Sequence, residues 1–245
     1  MLPSTGSPDR TRSGAARFQT TQWSVIMRAG QGAEEALVRL CRNYWTPLYA
    51  YARRRGNSAP EAEDLTQSFF AHILEHRSFA NVAPAKGRFR TFLLVSLKNF
   101  IENESRRDRA QKRGGGRFII SWEDLPPGAR EIAAPDEQLS PEKLYDREWA
   151  LTLVSRVLKQ LQKECEAARK SELFERLKGG LTGQTGEQSY KQIAAELKMS
   201  EGSVKVSAHR LRRRFGELLR EQVERTVSDP AQVEDELREI LSALG

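Results

Sequence analysis

The chain has 245 residues, 38% of them hydrophobic, which is enough for one large domain or two small ones. Its 40 Lys and Arg residues exceed its 33 Asp and Glu residues, and the net charge of +7 indicates a polyanionic partner. No stretch reaches the roughly 20 apolar residues that a membrane span needs, so we expect no membrane-spanning helix. The only cysteines, Cys41 and Cys165, stand in apolar helical patterns, so we expect no disulfide framework and a cytoplasmic protein.

The apolar stretches fall in two blocks, and residues 117–122 are the one short extended candidate. We therefore predict an all-α protein made of two small helical domains joined by a flexible acidic linker, the second being a helix-turn-helix domain. The predicted boundaries are a disordered tail at 1–19, an N-terminal domain at 20–113, a linker at 114–139, a C-terminal domain at 140–223 and an acidic amphipathic helical extension at 224–245.

The N-terminal block begins with a helix predicted from about Ala33, which Pro47 should kink or restart. Ser58 and Glu61 then form a capping-box pattern that opens a second helix to about His76. A loop over 79–87 follows.

The third predicted helix changes character along its length. Its first half, to Ile101, is apolar at helical spacing, whereas 103–113 is almost wholly polar and basic. The segment 88–113 carries eight basic and three acidic residues, a net charge of +5. We expect the first half in a core and the second half facing solvent or a partner.

The segment after this helix is acidic. Glycines at 114–116 break the helical pattern, and residues 117–148 carry eight acidic and four basic residues. Ser140 with Pro141 marks the start of the next helix, whose predicted buried stripe begins at Trp149.

Residues 189–215 carry the sharpest local pattern. A short capped helix ends at Leu197, a tight turn follows, and Ser200 caps a second helix, which is the layout of a helix-turn-helix. At about 100° per residue, one face of the second helix is apolar and should pack inward: Val204, Ala208, Leu211 and Phe215. The opposite face offers long donors for guanine edges and phosphates and a small apolar group for a thymine methyl: Lys205, Val206, His209, Arg210 and Arg213. The alternative is a surface helix with solvated arginines.

Two segments carry a resemblance to a known family. The first, Ala62 to Leu74, reads AEDLTQSFFAHIL, and the second, Gly87 to Leu94, reads GRFRTFLL and leads into the basic run. Together they resemble the extracytoplasmic-function (ECF) group of bacterial sigma factors. The block at 141–222 resembles the second domain of that family.

The resemblance implies a role for each block. The helix with the Asp-Leu-x-Gln-x-x-Phe pattern would dock on core RNA polymerase through the matching positions Asp64, Leu65, Gln67 and Phe70. The basic helix would grip the minus-ten element of promoter DNA through Asn99, Asn103, Arg106 and Arg107, with the loop at 79–87 capturing an unpaired base. The helix-turn-helix would read the minus-thirty-five element. Ordinary surface roles for Asp64, Gln67 and Asn99 are the alternatives.

The resemblance thus implies a sigma factor that directs promoter-specific transcription initiation and is not an enzyme; an anti-sigma factor or another regulatory partner is compatible with it. The first rival is a conventional helix-turn-helix regulator that acts without polymerase, and a DNA-processing enzyme comes after it. His72 and His76 have a zinc-compatible spacing but no further ligands nearby, so we expect no metal and no cofactor.

The chain departs from the family after Gln222, where it continues for about twenty residues. The stripe there is apolar at helical spacing: Val233, Leu237, Ile240, Leu241 and Leu244. Residues 221–245 carry seven acidic and two basic residues. We consider three hypotheses for this helix: it folds back to screen Arg210 and Arg213 from DNA, it packs as a structural helix, or it docks a partner.

Overall fold

The computed structural model describes residues 34–75, 88–110, 138–183, 189–227 and 229–245. These residues form eight α-helices and two short 3-10 helices and contain no strand. The prediction of an all-α protein is confirmed. The predicted tail, the loop at 79–87, the extended candidate and most of the linker lie outside the described residues.

Three helices form the N-terminal block. They are α1 (Glu34–Arg54), α2 (Ala59–Glu75) and α3 (Phe89–Ala110). Helix α1 continues through Pro47 as one helix, so the restart, one of the two expected effects of this proline, does not occur. After it, Gly56 adopts a φ of 96° that favours glycine. The predicted capping box is confirmed, because the Glu61 carboxylate accepts from the Ser58 backbone N–H at 2.8 Å.

Four helices and a 3-10 turn form the next block. They are α4 (Pro141–Ala167), α5 (Ser171–Leu177), the 3-10 helix Lys178–Leu181, α6 (Tyr190–Glu196) and α7 (Glu201–Glu224). Ser140 caps α4 and Pro141 occupies its first turn, as predicted. Ser189 and Gln192 form a capping box at the start of α6, and Ser200 caps α7. Short polar side chains therefore fix the start of each of these three helices.

The C-terminal extension is helical, as predicted. The Asp229 side chain accepts from the Ala231 backbone N–H at 2.9 Å and opens the 3-10 helix Pro230–Gln232. Helix α8 (Val233–Leu244) follows. Val233 and Ile240 are buried, whereas Leu241 is largely exposed.

The main core joins helices of both blocks. Helix α1 is buried on nearly every side from Leu40 to Ala52, and a helix that is apolar all round needs partners on more than one face. Helix α2 packs on it and α4 lies along it, with α7 and α8 packed on α4 in turn. The domain boundaries stay predictions, but the two blocks share one core rather than building one each. The physical reason is that α1 is buried on nearly every side, so it packs against α4 as well as against the helices of its own block.

A second, small core lies under the turn between α6 and α7. It consists of short and medium apolar side chains from α5, α6 and α7: Leu173, Leu177, Ile193, Ala194, Val204 and Ala208. Val204 and Ala208 thus pack inward as predicted, with Leu211 and Phe215 half-buried beside them. This core fixes the angle between α6 and α7.

No helix in the described part of the chain is long and apolar enough to cross a membrane.

Candidate nucleic-acid interface

Helix α3 presents a polar face to solvent. Asn99 and Asn103 are both exposed, and Val95, half exposed, stands one turn before them. Residues four apart lie on one side of a helix, so these three form a continuous stripe. Arg106 and Arg107 follow on the same helix. Amide side chains can read adenine edges, and this stripe has the chemistry for that task.

Helix α7 presents the predicted basic face to solvent. All five predicted residues are exposed: Lys205, Val206, His209, Arg210 and Arg213. Val206, at 51% exposure, is a large apolar side chain with no packing role. Among the described residues, Arg210 has neither a hydrogen-bond nor an ion-pair partner. An unpaired guanidinium can bind a phosphate or a guanine edge, and the exposed apolar group beside it can contact a thymine methyl.

Two members of this face pair within the helix. The Lys205 ammonium lies 2.7 Å from Glu201, and the hydrogen bond to that carboxylate raises the pKa of Lys205. Arg213 lies 3.0 Å from Glu217, although its side chain is 77% exposed. Exposed pairs of this kind contribute little free energy. Both cations can therefore leave their partners for a phosphate at small cost.

Three consecutive arginines of α7 play different structural roles. Arg212 donates to the Tyr190 hydroxyl at 2.8 Å and so ties α7 to α6. Arg213 points to solvent. Arg214 donates to both carboxylate oxygens of Glu164, at 2.8 and 2.9 Å, and ties α7 to α4. Sequence reasoning missed the roles of Arg212 and Arg214, because only the positions of their partners in space reveal them.

The turn between α6 and α7 is closed by backbone hydrogen bonds. Met199 N donates to Ala194 O at 2.9 Å, and Lys198 between the helices has a φ of 53°. This is a Schellman arrangement in which a lysine occupies the left-handed position that usually holds glycine. The short turn holds the start of α7 against the small core.

The predicted polymerase-docking residues separate into two groups on α2. Asp64 is exposed and Gln67 and Leu65 are half-buried, so they form a rim on one side of the helix. Phe70 is fully buried and stacks on Trp45 with a centroid distance of 6.0 Å. Phe70 is therefore a core residue and not part of the rim, and its contact with polymerase stays a prediction. The position of Phe70 next to Phe69 on the apolar side explains its burial.

Sequence reasoning also missed a buried group of charges, the Arg90 cluster, which unites α3, α4 and α8. Its members are Arg88, Arg90, Asp146, Glu236 and Glu239. The Arg90 side chain is only 6% exposed and lies 4.9 Å above the Trp149 ring. The Glu236 side chain is fully buried and accepts from Arg90 Nε at 2.7 Å and Arg88 Nε at 2.8 Å. The only indication of this cluster in the sequence was the opposite charge of the two segments, basic in α3 and acidic in α8.

The charges in this cluster shift one another's protonation. Burial lowers the pKa of Arg90, but the hydrogen bonds and charge of Glu236 outweigh it and leave that pKa raised. The hydrogen bond from Arg88 holds the pKa of Glu239 below its usual value. Burial raises the pKa of Asp146 despite the neighbouring Arg90. At neutral pH both arginines are therefore charged, and Glu239 is ionised.

Helix α8 does not lie over the exposed basic face of α7. It meets α7 near its C-terminal end, where Arg220 pairs with Glu234, while Arg210 and Arg213 are exposed. The hypothesis that the extension screens these two arginines is wrong. Two acidic residues of α8, Glu236 and Glu239, instead face the start of α3, because Val233 and Ile240 anchor the helix in the main core.

His72, considered above as half of a metal pair, packs on Phe100 with a ring-centroid distance of 5.2 Å. His76 lies outside the described residues. Within the described ranges, no three His, Cys, Asp or Glu residues come together in a way that could hold a metal ion.

Comparison with known proteins adds a family match to this geometry. Residues 37–111 match the model of sigma-70 region 2, which covers α1, α2 and α3. Neither the curated proteins nor the solved structures contain a match to the chain. The matched segment includes two surfaces described above. They are the Asp64 rim of α2, formed by Asp64, Leu65 and Gln67, and the Asn99 stripe of α3, formed by Val95, Asn99 and Asn103. The first three helices of the chain are thus similar to region 2 of the sigma-70 family of RNA polymerase sigma factors.

Proposed function

We propose that the chain is a promoter-specific sigma factor of the ECF type that binds core RNA polymerase and promoter DNA in the cytoplasm. Helix α2 docks on the polymerase, α3 contacts the minus-ten element, and α6 and α7 form a helix-turn-helix that reads the minus-thirty-five element. The chain itself catalyses no reaction. An anti-sigma factor is compatible with this function.

The observation that carries the proposal is the match over 37–111 together with the surfaces on those helices. The segment that resembles sigma-70 region 2 also holds the exposed Asn99 and Asn103. Amide side chains at this spacing can follow adjacent bases of an unpaired strand. The rim lies on α2, whose main contacts among the described residues are with α1 and α3, and its Asp64 side chain is exposed to another helix.

The exposed face of α7 supports the second DNA contact. Arg210 and Arg213 supply donors for guanine edges or phosphates, and Val206 supplies a group for a thymine methyl. Such a face alone also suits a conventional regulator that binds DNA without polymerase. The match to region 2 favours the sigma factor, since a regulator of that kind has no use for a polymerase-docking segment.

The decisive experiment measures binding of the full chain to core RNA polymerase by size-exclusion chromatography. We expect the natural chain to co-elute with the core enzyme and to direct transcription from specific genomic fragments. The double variant Asp64→Ala, Gln67→Ala should weaken co-elution at least tenfold, because it removes both polar groups of the rim. Ser68→Ala, at an exposed position of the same helix, is the matched control and should bind as the natural chain does.

Two outcomes would contradict the proposal. Specific DNA binding without any association with core polymerase would favour the conventional regulator. Normal co-elution of the double variant would instead refute α2 as the docking helix, while leaving the sigma-factor function in place.

A further inference from the structure

The two blocks of the chain are joined by more than apolar packing. Glu236, fully buried on α8, bridges Arg88 and Arg90 at the start of α3. Glu239 reaches the same two arginines, and Asp146 of α4 completes the charge around Arg90. The Arg90 cluster thus connects the region 2 segment to both the fourth and the last helix.

Backbone and surface contacts reinforce this connection. Phe89 N, at the first turn of α3, donates to Thr226 O at 3.2 Å. The Tyr145 hydroxyl donates to Arg90 O at 2.9 Å. At the surface, Lys98 of α3 lies 2.8 Å from Glu142 of α4. These contacts all hold the start and one side of α3 against the second block.

With the two blocks packed together, the folded chain is too short to contact both promoter elements at once. Folded chains of about 200 residues have a radius of gyration of about 16 Å, so their extent is on the order of 45 Å. The minus-ten and minus-thirty-five elements are separated by about 25 base pairs, or roughly 85 Å at about 3.4 Å per base pair. Helices α3 and α7 cannot reach both elements of straight DNA while they share one core.

From these observations we infer that α8 is an internal latch, which holds the region 2 helices against the helix-turn-helix block through Glu236 and Glu239 until core polymerase separates them. The inference rests on the proposed function. It assigns the extension a regulatory role that needs no contact with Arg210 or Arg213. The closed form still exposes the Asp64 rim, so polymerase can dock on α2 before the blocks part.

The buried carboxylate suits a latch for a physical reason. In the closed form Glu236 and Glu239 together balance the charges of Arg88 and Arg90, and removing Glu236 leaves buried positive charge with too little compensation. Open, all five charged groups of the cluster return to water, where each is well solvated. Conformations in which the cluster is only partly separated are therefore less stable than the closed or the open form. The change from the closed to the open form should be cooperative.

Opening also exposes the apolar faces of α1 and α4, so it requires a partner that covers them. Coupling to polymerase follows, because a ligand shifts a two-state equilibrium only by its preference for one state. A weaker latch should lower the amount of polymerase needed to open the chain. The docking rim itself is unchanged by such a variant.

The test uses zero-length carbodiimide cross-linking of the full chain, with core RNA polymerase added in increasing amounts. Lys98 and Glu142 are close and both partly exposed, so their cross-link reports the closed form by mass spectrometry. The pair Lys178 and Glu175, 2.5 Å apart within one short segment, serves as an internal standard. Size-exclusion chromatography of the same samples measures complex formation separately.

We expect the Lys98–Glu142 cross-link in the free chain, and its loss as the complex forms. Glu236→Gln should lose it at about tenfold lower polymerase concentration than the natural chain. Glu234→Gln is the matched control, since it removes an exposed carboxylate of α8 that pairs with Arg220 and not with α3. If Glu236→Gln does not fold, Glu239→Gln, whose side chain is half exposed, replaces it with a smaller expected shift in the same direction.

Persistence of the cross-link in the assembled complex would overturn the latch while leaving the sigma-factor proposal intact. Loss of the cross-link at the same polymerase concentration in the glutamine variants and the natural chain would overturn it as well. A complete failure to form the complex would instead refute the proposed function, on which the latch depends.

Discussion

Arg90 and Arg213 both belong to basic segments of the chain, yet their surroundings are opposite. Arg90 is buried above Trp149 and surrounded by three carboxylates, whereas Arg213 projects into solvent with one weak partner on its own helix. The first is held where it is because its charge is already neutralised. The second keeps its charge available for an external polyanion. Positive charge in this chain therefore stabilises the fold at one site and is available for binding at another.

The sharpest way to test this difference is to remove each arginine in turn. Arg90→Ala should lower the free energy of unfolding by about 3 to 5 kcal/mol, because it breaks a buried ion pair and leaves Arg88 as the remaining cationic partner of Glu236. Arg213→Ala should change it by less than about 0.5 kcal/mol, as is usual for a solvated side chain. Urea denaturation followed by circular dichroism measures both. Similar losses for the two variants would show that the Arg90 cluster contributes no special stability.

A second test measures DNA binding by the complex of the chain with core RNA polymerase. Arg210→Ala should cost about 1 to 3 kcal/mol at the preferred promoter if Arg210 reads a base edge. The stability of the free chain should be unchanged, since Arg210 is exposed. Fluorescence anisotropy on the preferred promoter and on unrelated DNA makes the comparison. An equal loss on both would identify Arg210 as a phosphate contact instead.

Arg214 lies between the two extremes and should behave accordingly. It makes a two-pronged contact to Glu164, but about a third of its side chain is exposed, so solvent reduces the contribution. Arg214→Ala should lower the free energy of unfolding by about 1 kcal/mol. Thermal denaturation detects a change of this size. A loss of stability as large as that of Arg90→Ala would mean that solvent exposure does not explain the difference between Arg90 and Arg214.

The smallest expected effect concerns the turn between α6 and α7. Lys198 has a φ of 53°, which strains any residue with a Cβ atom, so Lys198→Gly should raise the free energy of unfolding by up to about 1 kcal/mol. The added freedom of glycine in the unfolded chain offsets part of this gain. Lys191→Gly, at an exposed position inside α6, is the control and should destabilise. A loss of stability in Lys198→Gly would show that the lysine side chain contributes more than its backbone costs.

Much of the local structure followed directly from the order of residues. The capping residues Ser58, Ser140 and Ser200 marked the starts of three helices, because a side-chain oxygen satisfies backbone donors only one turn away. The inward and outward faces of α7 also followed from its 3.6-residue period. By contrast, the resemblance implied that Phe70 contacts polymerase, although its position beside Phe69 already indicated the apolar side of α2.

The sequence by itself determined where the helices begin, which faces are apolar and which segments carry each sign of charge, since these properties depend on neighbours within a few residues. Only the tertiary structure decided that α1 is shared by both blocks, that α8 faces α3 rather than the exposed arginines of α7, and that Arg90 pairs with Glu236 across 146 positions of the chain. The physical reason is that every charged residue can be solvated in the unfolded chain, and only the folded structure decides which of them lose their water and pair with one another. Burial of α8 through Val233 and Ile240 removes that water and leaves the two arginines of α3 as the partners within reach.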